Sequence, residues 1–114
     1  MQLNFSLTFK TFFITALMLF AYSAHAVDAE SAKAFAKQNN CFRCHGIDHD
    51  KDGPAWNKIA QKFKADPEGK AKLLKHLSSG EMAKFPDGHE EAHMKIESNN
   101  VEETVNLVNW ILSL

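Results

Sequence analysis

Cysteine is scarce: Cys41 and Cys44 are the only two in 114 residues. They lie three positions apart, and a disulfide across so short a loop constrains the unfolded chain far less than a long-range one. A scaffold stapled by disulfides is therefore excluded. A basic excess is also missing. Thirteen Lys and Arg face fourteen Asp and Glu, a net charge of −1 with histidines neutral, whereas nucleic-acid binding needs a net basic face. No apolar run reaches the ~20 residues needed to cross a bilayer. The chain carries no alternating strand pattern, no internal repeat and no low-complexity tract. It also lacks a nucleophile paired with a base or a phosphate-binding loop.

What apolar run there is lies near the start. Lys10 is the only charge in residues 1–26, Thr11 to Tyr22 are almost continuously apolar, and Ser23-Ala24-His25-Ala26 follow. That is the layout of a secretory signal peptide ending in small residues. The expectation is cleavage after Ala26, export to the periplasm, and one domain over residues 27–114. The alternative is an uncut membrane anchor. A domain this small buries little apolar area and usually needs a staple, a metal or a cofactor. A local disulfide cannot serve, so the stabilising element must be something the cysteines hold. Lysines crowd Lys58 to Lys75 and acids dominate Glu81 to Glu103; these are two solvated faces or a docking surface.

Helical spacing dominates the rest. Asp28 is placed to cap a helix through Lys37, with Ala32, Phe35 and Ala36 on one face and Asn39-Asn40 ending it. A polar loop, Asp48 to Gly53, leads into Gly53-Pro54, a turn followed by a helix start. Trp56, Ile59, Ala60 and Phe63 then recur at helical spacing. Asp66-Pro67 predicts the next N-terminus, Ala71, Leu74 and Leu77 its apolar stripe, and Gly80 its end. Residues 81–99 read mainly as a loop. Asn100 with Glu103 predicts a capping box. The last helix then has a stripe of Val101, Val105, Val108 and Leu112, widened by Leu107, Trp110, Ile111 and Leu114. Long connections between short helices are unusual unless they wrap something.

Cys41-Phe42-Arg43-Cys44-His45 is the pattern of c-type haem attachment. Two thiols at that spacing can form thioethers to the vinyl groups of one porphyrin, and the adjacent histidine can ligate its iron. Two other uses of the cysteines stay open. One is a thioredoxin-like disulfide, although no βαβ pattern surrounds it. The other is zinc held by Cys41, Cys44, His89 and His93, although the long gap departs from finger spacings and leaves His45 without a role.

With this motif, the Gly53-Pro54-Ala55-Trp56-Asn57-Lys58-Ile59-Ala60 stretch and Asn109-Trp110-Ile111-Leu112, the chain resembles the small bacterial class I c-type cytochromes. The resemblance covers almost all of residues 27–114. It implies an all-α fold of about four short helices wrapped around one covalent haem c. It implies thioethers at Cys41 and Cys44, His45 as proximal iron ligand, and a Pro54 carbonyl that orients His45. Phe35 and Trp110 should lie close, where the first and last helices cross. Trp110 is expected to be core packing; Trp56 is either packing or a hydrogen-bond donor to a haem propionate. Relatives usually supply a distal methionine, and Met94 stands at the expected separation from Trp110. It lacks the flanking prolines of the family, however, and His93 beside it is an alternative iron ligand, as is His89 less favourably. A thioether raises the potential and a second imidazole lowers it. Met82 is expected to be packing, and His76 and His49 surface residues.

The resulting expectation is a monomeric, non-enzymatic carrier that passes single electrons between a redox donor and acceptor through small, weak interfaces. The rivals are a haem enzyme or gas sensor with an open iron position, and a zinc- or disulfide-bearing interaction module.

Overall fold

The computed structural model describes residues 26–97 and 99–114; apart from Ala26, the expected signal segment lies outside them. Helix α1 spans Ala29–Gln38. Its N-terminus is capped as expected: the Asp28 carboxylate accepts the Ser31 N–H at 3.0 Å and the Ser31 hydroxyl at 2.7 Å. Those bonds hold the Asp28 carboxyl below the usual carboxylate range. Asn40 adopts the left-handed conformation, φ 57°, which Asn tolerates better than most residues, and the chain turns into a 3₁₀ turn at Cys41–Arg43.

Helix α2 (Trp56–Phe63) and helix α3 (Gly69–Ser79) follow. The expected cap at Asp66 is displaced: its Oδ1 accepts the Glu68 N–H at 2.9 Å, closing a tight turn, and the helix begins only at Gly69. A Cβ at Gly69 would fall 2.1 Å from the Phe63 carbonyl oxygen, so only glycine lets α3 start this close to α2. Gly80 ends α3 in the left-handed region, φ 62°, as its sequence position predicts.

Strands β1 (Met82–Lys84) and β2 (Glu90–Ala92) form an antiparallel hairpin in register Met82↔Ala92 and Lys84↔Glu90. This corrects the reading of residues 81–99 as loop. Three-residue strands are too short to print an alternation, and the only local sign is Pro86-Asp87-Gly88 at the turn. There Gly88 sits at φ 93° and donates its N–H to Phe85. Met82 is exposed on β1, not packed as expected.

Helix α4 (Val101–Leu112) crosses α1. Ala32, Phe35 and Ala36 of α1 share one core cluster with Leu107, Trp110 and Ile111, joined by Trp56 and Ile96. Phe35 and Trp110 are thus in the same core, as the resemblance implies. The buried stripe is Leu107, Val108, Trp110 and Ile111, whereas Val101 is 60% exposed. All four buried residues belong to the expected stripe or its widening, and the departure is Val101. Val101 occupies the first turn of α4 and faces solvent. The Asn100 side chain makes no capping bond; its carbonyl instead accepts the Thr104 hydroxyl. The two terminal helices are further tied by a reciprocal pair. Asp28 N–H donates to Asn106 Oδ1 at 3.0 Å, and Asn106 Nδ2 donates to the Asp28 carbonyl at 2.8 Å.

Candidate functional site

The 3₁₀ turn after Asn40 folds the motif back on itself. The N–H groups of Cys44 and His45 both donate to the Cys41 carbonyl, at 3.2 and 3.0 Å, which brings Cys41, Cys44 and His45 to the wall of one cavity. Both thiols are free. Burial pushes the Cys41 thiol up to about 11. Among the described residues no three His, Cys, Asp or Glu side chains converge as a metal ion would require. The set Cys41, Cys44, His89 and His93 is therefore not assembled.

His45 is held by the loop that follows it. Its Nδ1–H donates to the Pro54 carbonyl at 2.7 Å. Several bonds fix that carbonyl: Gly53 N–H to the Cys44 carbonyl at 2.7 Å, Trp56 N–H to Gly46, and Ala55 N–H to Asp50 Oδ1 at 2.8 Å. Asp50 in turn pairs with Lys58. Gly53 is required by space, since a Cβ there would lie 2.8 Å from the His45 ring. The Gly-Pro step thus has two separate jobs: close approach and a carbonyl aimed at the imidazole. Burial lowers the His45 pKa below the ordinary imidazole value, against the raising effect of the Pro54 bond. The lowered pKa favours the neutral ring, the form that binds a metal, and the Pro54 bond at Nδ1 leaves that role to Nε2.

A second group reaches the same cavity from α3 and from the segment after β2. His93 N–H donates to the Glu81 carbonyl at 2.9 Å, and Ile96 N–H to the Leu77 carbonyl at 2.8 Å. With Ile96 buried, residues 93–96 are pinned at both ends. The His93 ring centroid lies 6.1 Å from that of His45, tilted by 56°. Its Nδ1–H donates to the Met94 carbonyl at 2.9 Å, again leaving Nε2 free. Burial lowers the His93 pKa as well. Met94 also lines the cavity but is 48% exposed. His89 stands apart at the hairpin between Asp87 and Glu91. Their carboxylates, Asp87 first, raise its pKa and favour a protonated ring.

His76 is the residue that sequence reasoning missed. It is not a plain surface residue: it lines the cavity, and its ring centroid is 4.2 Å from that of His93. The signal was available, because Leu73, His76 and Leu77 at i, i+3 and i+4 form the inner face of α3. The expected stripe included Ala71, which is exposed. His49 is exposed, as expected.

The cavity holds about 790 Å³, within the range of small-molecule and cofactor sites. Its deep wall is apolar: Ile59, Leu107, Val108 and Ile111, with Trp56. Trp56 is buried and stacks on His45 at 6.0 Å and edge-on to Trp110 at 5.2 Å. A flat apolar group with one metal, attached at Cys41 and Cys44, fits this donor set. Two thiols lie on one rim, a neutral imidazole points inward, and imidazole and thioether donors come from across the space.

Residues 29–114 match the family model described as cytochrome c. The class 1 cytochrome MtoD from Sideroxydans lithotrophicus ES-1 has a similar structure, with TM-score 0.74 and 53% identity, covering 77% of this chain and 97% of that one. Cytochrome c2 of Rhodocyclus tenuis is 31% identical over 83 residues, 71% of this chain and 89% of the relative. Cytochrome c-551 of Pseudomonas aeruginosa is 27% identical over 85 residues, 75% and 78% of the two chains.

Proposed function

The chain belongs to the cytochrome c family, class I, and from that premise we propose that it is an exported single-electron carrier with bis-imidazole iron ligation. Bound haem c supplies an iron that cycles between ferric and ferrous states. The protein's part is to attach, orient and enclose that group. Cys41 and Cys44 provide the thioether sulfurs. His45 Nε2 is the proximal ligand, oriented by Pro54 through Nδ1.

For the distal side, the geometry favours His93 over the Met94 expected from the resemblance. Metal–imidazole bonds of about 2 Å put the centroids of two rings flanking one metal about 6 Å apart. The 6.1 Å between His45 and His93 matches that spacing. Each ring also donates Nδ1–H to a backbone carbonyl, the arrangement metal-bound histidines almost always have. Met94 would then act through its carbonyl, which holds His93, and not through its sulfur. A Met94 thioether ligand remains the second reading, supported by its place on the cavity wall. Trp56 packs the proximal side and is proposed to donate its indole N–H to a haem propionate.

Export with cleavage after Ala26 to the periplasm rests on the residue pattern of 1–26. Among the described residues no helix is long and apolar enough to cross a membrane. The large exposed hydrophobics there are Val27, Met82, Met94 and Val101, on separate segments. That dispersion supports a monomer that meets a donor and an acceptor only transiently.

Spectroelectrochemical titration of the matured protein is the test. One reversible one-electron wave is expected, with low-spin visible and EPR spectra in the resting ferric state. A five-coordinate high-spin ferric spectrum would contradict the carrier and favour the open-site enzyme or sensor.

A further inference from the structure

Resting on that reading, we infer that His76 is a positioning residue that holds the distal imidazole of His93 in place. Glu81 sits at the centre of the arrangement. Its carbonyl accepts the His93 N–H at 2.9 Å, and its carboxylate pairs with His76 Nδ1. The His76 ring then packs against the His93 ring, with centroids 4.2 Å apart and planes at 53°. One residue just past the end of α3 therefore anchors both the backbone of His93 and the side chain that its ring leans on.

The other restraints on His93 act on its backbone, or on Nδ1 from its own segment, and leave the face of the ring to His76. His93 follows the three-residue strand β2, whose residues are mostly exposed, and Met94 beyond it is half in solvent. The Met94 carbonyl restrains Nδ1 but belongs to the neighbouring residue, so it moves with the same segment. His76, in contrast, is on a regular helix, and rigid elements hold a ligand more firmly than loops do. His76 is itself tethered at Nδ1 by Glu81, which fixes its ring against free rotation.

Cyanide binding to the ferric holoprotein reads this directly, because cyanide can enter only when the distal ligand leaves. Haem stoichiometry and the resting spectrum of the parent are measured first. A parent without haem, or high-spin at rest, would overturn the proposed function and this inference with it. Loss of an outer-shell partner costs about 10–100-fold in ligand–metal affinity, so His76→Ala is expected to take up cyanide about tenfold faster or more, while staying low-spin at rest. His76→Phe, which keeps a ring against His93 but loses the tether to Glu81, should recover part of that change. A purely structural role would lower the melting temperature of His76→Ala and leave its cyanide rate near the parent's. That result overturns the inference, as does a His76→Phe rate equal to that of His76→Ala. A high-spin resting spectrum in His76→Ala also overturns it, since His76 would then be a ligand itself.

Discussion

Replacing Cys41 and Cys44 together by alanine is expected to give a colourless chain without stable tertiary structure, even in a host that attaches haem. The reason is the size of the interior that the chain's own side chains leave unfilled. A cavity of about 790 Å³ lies between α2, α3, α4 and the motif. Its deep wall is apolar, Ile59, Leu107, Val108 and Ile111, and exposing such surface to water opposes folding unless another apolar group covers it. The side-chain core is correspondingly thin. Among the described residues the largest side chains fully withdrawn from solvent are Leu107 and Val108. Where the unfolded chain has no site, the free energy of holding the group is folding free energy. Far-UV and near-UV circular dichroism of the purified double variant, compared with the parent, check this. A variant that keeps the parent's dichroism and melting temperature would contradict it. Either cysteine alone should still hold the group by one thioether, with a smaller loss of stability.

The second large effect concerns the distal side. His93→Ala is expected to keep its haem, because the thioethers are untouched, but to become high-spin in the ferric state. Met94→Ala should stay low-spin at a nearly unchanged potential, because only its carbonyl is used and alanine keeps that. The pair of variants separates the two readings cleanly. If the thioether were the ligand, Met94→Ala would become high-spin or take His93 as replacement, with a lower potential. His93→Ala would then leave the spectrum unchanged. EPR and visible spectra of both ferric variants, with their midpoint potentials, decide between these outcomes.

Much of the architecture was legible because its causes are local. The Asp28 cap, the break at Asn39-Asn40, the left-handed Gly80 and the Gly53-Pro54 step each depend on a few neighbouring residues. All appear where the chain places them. The haem-attachment motif is equally compact, and haem c follows from it together with the family. What was not legible depends on partners distant in sequence. On α4 the expected Leu107, Val108, Trp110 and Ile111 do go inside, but the exposure of Val101 at the same apolar spacing depends on how the helix packs and not on its own pattern. The β1–β2 hairpin forms from pieces too short to carry a pattern, helped by an Arg43–Glu91 ion pair at 3.0 Å between exposed side chains. Such a pair contributes only about 0–1 kcal/mol.

His76 and the choice between His93 and Met94 belong to the same class. Three potential donors stand within or beside one cavity. Which one turns toward His45 is decided by Glu81, Leu77 and the Met94 carbonyl, through contacts that no spacing rule encodes. Resemblance favoured the methionine because relatives usually have one there. The ring separation and the paired Nδ1 bonds favour the histidine next to it.

The most direct test of the whole account is the intact mass of the natively matured polypeptide after denaturation and organic extraction, read alongside its absorption spectrum. The expected mass is that of residues 27–114 plus one iron porphyrin that extraction does not remove. A polypeptide mass with nothing attached, and no Soret absorption, would contradict it.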